Sequence, residues 1–162
     1  MIIACRIDGR LVHGQVANLW TPKLSIERII VVDDVVSENK IDKAGLRLAT
    51  PNGVRLSVLP VARAAKQINE DRYKSQRVLI VAKTPAIFLE LIEAGVPIEE
   101  INVGNMSQTD ETTSISNSIN VVQKDVDDFH KIADHGVKLI AQMAPSDPAK
   151  EFMPLLESKF KS

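Results

Sequence analysis

Apolar runs rich in Ile and Val alternate with amphipathic segments along this chain. A short apolar run is the mark of a strand buried on both faces, and an amphipathic stretch between two such runs is the crossover helix that joins them in parallel. The pattern predicts an α/β fold: an open, mostly parallel twisted sheet of about seven strands with helices on both faces. Strands are expected at Met1–Ile7, Arg28–Val32, Arg55–Leu59, Arg77–Ala82, Glu100–Val103, Ile119–Val121 and Val137–Ala141. Helices are expected at Gln15–Trp20, Glu38–Ala49, Pro60–Asn69, Pro85–Ala94, Val126–Ala133 and Pro148–Phe160. Pro60 and Pro85 suit a first helical turn, Thr84 an N-cap, and Gly95 and Gly136 helix ends. Met106 to Ser118, rich in Ser, Thr, Asn and Gln, breaks the rhythm and reads as a loop with a short edge hairpin.

A length of 162 residues fits a single domain spanning 1–162, and 44% hydrophobic with 25% charged residues is enough apolar material for a real core. Lys and Arg number 20 against 21 Asp and Glu, so the net charge of -1 offers no broad field for nucleic acid or an acidic membrane. Cys5 is the only cysteine and sits in an apolar strand, which excludes an internal disulfide or a cysteine metal cluster and fits a reducing cytoplasm. Nothing approaches the roughly 20 apolar residues of a membrane span, and the first residues lack a signal peptide's pattern. A cytoplasmic location is expected, with any membrane supplied by other chains.

The chemistry concentrates in Arg6-Ile7-Asp8-Gly9-Arg10-Leu11-Val12-His13-Gly14-Gln15, where the first strand turns into the first expected helix. Such a junction gathers unpaired backbone N–H groups and the positive end of a helix dipole. In open α/β sheets ligands collect beyond the carboxyl ends of the strands, and this active-site loop follows the first strand at that end. Asp33 and Asp34, Lys83 and Thr84, and Gly104 with Asn105 follow other strands and are rim candidates. Transfer of a phosphoryl group to histidine needs an unprotonated ring nitrogen and donors for the phosphoryl oxygens. His13 is the candidate nucleophile; Arg10, Gly14 and the loop amides are candidate donors. Flanking arginines and the helix start favour an uncharged imidazole. Arg6 reads equally as a phosphate ligand or as a partner of Asp8 or Asp33, and Asp8 and Asp34 read as loop and capping residues. Leu11 and Val12 are expected to offer apolar contacts around an exposed histidine. His130 and His135 read as structural. Walker-type, dinucleotide and nucleophile-elbow motifs are absent, as are metal-spaced histidines and a magnesium cage, so the expected chemistry uses no metal and no cofactor.

The segment Arg6 to Val16 resembles the active-site signature of the enzyme IIB components of the mannose/fructose/sorbose family of the bacterial sugar phosphotransferase system. Ile29 to Asp34 resembles that family's second strand, and Ile101 to Met106 its Asn-Val-Gly segment. The resemblance implies a phosphocarrier: His13 accepts a phosphoryl group on Nδ1 from a phosphohistidine of enzyme IIA and passes it to a sugar held by the membrane subunits IIC and IID. It implies Arg10 as phosphate ligand, supporting positions at Arg6, Asp8 and Gln15, and peripheral association with the transporter. The sugar belongs to the membrane subunits, which leaves mannose, fructose, sorbose and amino sugars open, and a homodimer is open too. From the residues alone, a histidine phosphatase or mutase, a non-catalytic ligand-binding regulator and a scaffold stand as alternatives. Against the first, its motif carries arginine immediately before the histidine, where this chain has Val12.

Overall fold

The computed structural model describes residues 1–14 and 16–160. Its strands are β1 (Ile2–Asp8), β2 (Arg28–Val32), β3 (Arg55–Leu59), β4 (Val78–Ala82), β5 (Glu100–Asn105), β6 (Thr113–Ser114), β7 (Asn120–Val121), β8 (Lys138–Ala141) and β9 (Lys150–Glu151). Its α-helices are α1 (Thr21–Lys23), α2 (Lys40–Ala49), α3 (Val61–Asn69), α4 (Pro85–Glu93), α5 (Gln123–Asp134) and α6 (Phe152–Lys159). A seven-stranded sheet runs β3-β2-β4-β1-β5-β8-β9, parallel throughout except for β9.

Alternation along the strands divides the apolar residues between two faces. Ile29 and Val31 of β2 join a core with Leu79, Val81, Leu46 of α2, and Leu11, Val12, Val16 and Ala17. Ile30 and Val32 join the opposite and larger core, built with Ala64 of α3, Phe88 of α4, Phe129 of α5 and Phe152 of α6. Burial on both faces explains why these strands read as unbroken apolar runs.

Several boundaries move for identifiable reasons. The helix expected from Glu38 begins at Lys40, because Val36–Glu38 form a separate 3₁₀ turn and the Asn39 side chain caps the Asp42 N–H at 3.0 Å. α5 begins at Gln123, ahead of the expected Val126, because the Asp125 carboxylate reaches back to the Val122 N–H at 3.0 Å. Pro60 stands at the N-cap of α3 and not inside it, while Thr84 is the N-cap of α4 but makes no side-chain cap bond. Gly95 and Gly136 do follow helix ends, at φ +92° and +82°.

The expected strand Ile119–Val121 is not in the main sheet. Its last two residues pair with β6 in a separate two-stranded hairpin, which Ile119 bridges to Met106 just beyond β5. The seventh strand of the main sheet is β9, on residues expected to be helical. No helix among the described residues is long and apolar enough to cross a membrane.

Candidate active site

β1 occupies the middle of the sheet, between β4 and β5. Its alternation sends Cys5 and Ile7 into the larger core and leaves Arg6 and Asp8 on the other face, side by side. Burial pushes the Cys5 thiol up, as suits a small apolar filler and not a reactive group.

Asp8 is the hub. It is fully buried, and its carboxylate meets three cationic or potentially cationic side chains: Arg6 Nε at 3.2 Å, Arg10 Nε at 3.3 Å and His13 Nε2 at 3.0 Å. Its Oδ1 also accepts the Arg10 backbone N–H at 3.0 Å, while its carbonyl accepts the Leu11 N–H at 3.0 Å. The second residue after an Asp bonding back to its side chain is an Asx turn, so one carboxylate both shapes the loop and charges it. Burial pushes the Asp8 carboxyl up, but the bond from His13, the Arg10 N–H and the Arg6 charge outweigh it and hold the group below the ordinary aspartate value.

The loop is anchored at both ends. The Gly9 N–H donates to the Asn105 carbonyl at 3.0 Å, and Leu11 and Val12 are buried in the smaller core. These two side chains therefore fasten the loop and do not form the apolar docking ring expected of them. Leu11 reaches its place with φ +58°, a left-handed conformation that disfavours branched side chains. Immediately beyond, the His13 carbonyl accepts the Ala17 N–H at 2.8 Å and opens a helical run, the π-type turn Val16–Trp20 followed by α1.

His13 itself is 19% exposed at its side chain. Because an ionised carboxylate only accepts, the Asp8 contact calls for a proton on Nε2, and in the neutral imidazole the lone pair is then on Nδ1. The flanking arginines and the helix start made up the electrostatic expectation; the structure adds a carboxylate, of opposite sign, 3.0 Å from Nε2.

Arg10 and Arg6 take different places. Arg10 is 42% exposed at its side chain and stands at the mouth of the site. Arg6 is 1% exposed, with Nη1 donating to Asn102 Oδ1 and to the Gln142 carbonyl at 3.0 Å, and Nη2 to the Met143 carbonyl at 2.9 Å. Its guanidinium lies 5.3 Å from the centroid of Trp20, whose Nε1–H donates to the same Met143 carbonyl at 3.0 Å. Burial draws the guanidinium's pKa down and Asp8 opposes that shift. A direct phosphate contact from Arg6 would require breaking these bonds, so its geometry is that of a support for Asp8.

Other expected residues separate into those that join the site and those that do not. Gly104 lies against the Arg6 guanidinium, and Asn105 holds Gly9 through its backbone. Gly14 is exposed at the start of the helical run. Asp33 Oδ1 accepts the Val35 and Val36 N–H groups at 3.0 and 2.9 Å, and Asp34 Oδ1 accepts the Val61 N–H at 2.8 Å; both serve their own loop and helix starts. Lys83 and Thr84 line a cleft of about 370 Å³ that Gly9 and Ser107 also border. Gln15 lies outside the described residues. The residues sequence reasoning missed are Asn102, Trp20 and the carbonyls of Gln142 and Met143. For Asn102 a signal existed, since β1 and β5 alternate alike and Arg6 is in register with it.

A family model described as PTS system sorbose subfamily IIB component matches residues 2–162. The fructose-specific EIIB component of Bacillus subtilis (strain 168) is 33% identical over 157 residues, covering 97% of this chain and 96% of that protein. The mannose-specific EIIAB component of Escherichia coli (strain K12) is 36% identical over 151 residues, covering 93% of this chain; the match spans 47% of that longer protein. The crystal structure of the IIB domain of the sorbose permease from Klebsiella pneumoniae superposes with a TM-score of 0.94 at 26% identity, covering 99% of this chain and 98% of that one.

Proposed function

The chain belongs to the sorbose subfamily of PTS system IIB components, the phosphotransfer subunits of sugar uptake, and from that premise we propose that His13 carries the phosphoryl group on Nδ1. The observation that carries this reading is the 3.0 Å contact between Asp8 and His13 Nε2. With the ring proton held there, the nucleophilic pair is on the other nitrogen.

Transfer proceeds in two displacements. In the first, the Nδ1 lone pair of His13 forms a bond to phosphorus as the P–N bond of a phosphohistidine on enzyme IIA breaks, returning its electron pair to the donor imidazole. Positive charge develops on the His13 ring, and the Asp8 carboxylate against Nε2 stabilises it. Arg10 at the mouth of the site, with the Gly14 amide, binds the phosphoryl oxygens; a guanidinium does so as a planar fork. In the second, a sugar hydroxyl oxygen attacks phosphorus, the P–Nδ1 bond breaks, and the hydroxyl proton leaves to a base or to solvent. Arg6 acts on neither step directly; it fixes Asp8, and Asp33 and Asp34 shape the neighbouring rim.

Residues 1–162 act as one domain in the cytoplasm, docking on the membrane subunits IIC and IID that hold the sugar. Partial exposure of His13 supports two successive, transient protein partners. A homodimer is compatible with both encounters. The relatives' names carry fructose, mannose and sorbose, and the sugar of this chain follows its membrane subunits. The direct test is to supply phosphoenolpyruvate, the general carrier proteins and a cognate IIA, then read where the phosphoryl group resides. A relay holds it until sugar and membrane subunits arrive, whereas a phosphatase releases it.

A further inference from the structure

Gly104, the next-to-last residue of β5, lies against the end of the Arg6 side chain, where nothing larger fits. A Cβ built on Gly104 would stand 2.2 Å from Arg6 Cζ and Nη2 and 2.5 Å from Nη1, far inside van der Waals contact. Its φ is not among the positive ones, so the backbone itself does not demand glycine; the demand is for space.

Ordinarily the far end of an arginine would swing aside, but this one is held on every side. Its N–H groups are bonded to Asp8, Asn102, Gln142 and Met143, and the Trp20 ring lies over its face. Trp20 is in turn tied to Met143. At 1% exposure, a displaced guanidinium has no solvent to turn into without dismantling these bonds. Asp8 and His13 depend on it, since Arg6 grips the same Oδ2 that receives Nε2–H.

We propose that Gly104, Trp20 and the carbonyls of Gln142 and Met143 form a socket for Arg6, and that Gly104 is a positioning residue for phosphoryl transfer. It touches no reacting atom. It acts through Arg6, which orients Asp8, which orients the His13 ring so that Nδ1 faces the incoming phosphorus. The proposal rests on the reading of His13 as the phosphoryl acceptor.

The experiment compares Gly104→Ala, Arg6→Ala and the double variant with the wild type. It follows the rate of phosphoryl acceptance from IIA, thermal melting, and the one-bond ¹H–¹⁵N signal of the His13 Nε2–H that Asp8 protects from exchange. Gly104→Ala is expected to melt cooperatively, accept phosphoryl roughly a hundredfold more slowly and lose the Nε2–H signal. In the Arg6→Ala background, where no guanidinium remains to collide with, the same alanine is expected to change neither rate nor melting further. Where Gly104→Ala does not fold, Trp20→Phe keeps an aromatic ring but removes the bond to Met143 and part of the indole that packs on Arg6; slower acceptance with a weakened Nε2–H signal is expected. Wild-type rate and signal in the folded Gly104→Ala variant, or in Trp20→Phe, would overturn the socket, as would effects of Gly104→Ala and Arg6→Ala that multiply independently. If the wild type is labelled on His13 while Gly104→Ala is labelled equally fast, only the socket fails. A wild type labelled elsewhere defeats both readings.

Discussion

Asp8 grips the His13 ring at Nε2, 3.0 Å away, from a position with no solvent contact of its own. One carboxylate thus takes the Nε2 edge of the imidazole, and the His13 bond, the Arg10 backbone N–H and the Arg6 charge hold that carboxylate in its ionised form.

Asp8→Asn keeps the shape of the side chain and removes its charge. Arg6 is left buried with a neutral partner, a change that costs about 3–5 kcal/mol when a buried ion pair is broken from one side, and the amide no longer specifies the Nε2–H form of His13. Denaturant unfolding should show the loss of stability, and phosphoryl acceptance should slow about a hundredfold. Unaltered acceptance would mean that Asp8 does not orient the ring.

The depressed folded-state value of Asp8 sets the sign of a pH effect. A group whose folded pKa lies below its unfolded value stabilises the fold above the unfolded value, near pH 4 for aspartate, and that contribution disappears as pH falls through the folded value. Urea unfolding between neutral and strongly acidic pH should therefore show wild-type stability declining below about pH 4, with a shallower decline in Asp8→Asn. Parallel slopes in the two proteins would place the acid sensitivity elsewhere.

Arg10 and Arg6 share a motif but should respond differently to lysine. Arg10→Lys removes a planar fork at a half-exposed position, so acceptance should fall about tenfold while melting stays within a degree or two of wild type. Arg6→Lys removes a guanidinium whose donors are bonded inside the protein, so melting and acceptance should fall together. Equal stability losses in the two variants would contradict the division of roles.

At Leu11 the usual ranking of small residues should reverse. Both Leu11→Ala and Leu11→Gly empty the same buried site, but only glycine adopts φ +58° without steric cost. The glycine variant should be the more stable of the two by about 1 kcal/mol. Chemical denaturation of the pair settles it, and a more stable alanine variant would contradict the strained geometry.

Arg28–Val32 was legible residue for residue, because burial on both faces writes itself as Ile and Val in a row; the part-buried edge strand Arg55–Leu59 was legible to the same bounds. Helix starts were less so: α2 and α5 are set by where Asn39 and Asp125 find backbone N–H groups, a matter of loop geometry that composition does not carry. β9 was illegible because Lys150 and Glu151 are paired by tertiary contact with β8 and have no apolar pattern. Within the site, His13 and Arg10 announced themselves by their setting, whereas Asp8 read as a loop residue beyond a strand ending at Ile7, and Arg6 equally as a phosphate ligand or as a partner of Asp8 or Asp33. That Asp8 would be the hub and not merely a turn residue depends on how the loop folds back after Gly9. The Arg6 partners at Gln142 and Met143 are backbone carbonyls 136 and 137 residues away, which no side-chain pattern reveals.

The central claim is a bond between phosphorus and one nitrogen of one residue. Incubation with phosphorylated IIA, followed by ³¹P NMR and mass spectrometric mapping under alkaline conditions that preserve phosphohistidine, tests it most directly. The account predicts a single phosphoryl group on Nδ1 of His13 that is absent from His13→Ala; a group on Nε2, on another residue, or none at all would contradict it.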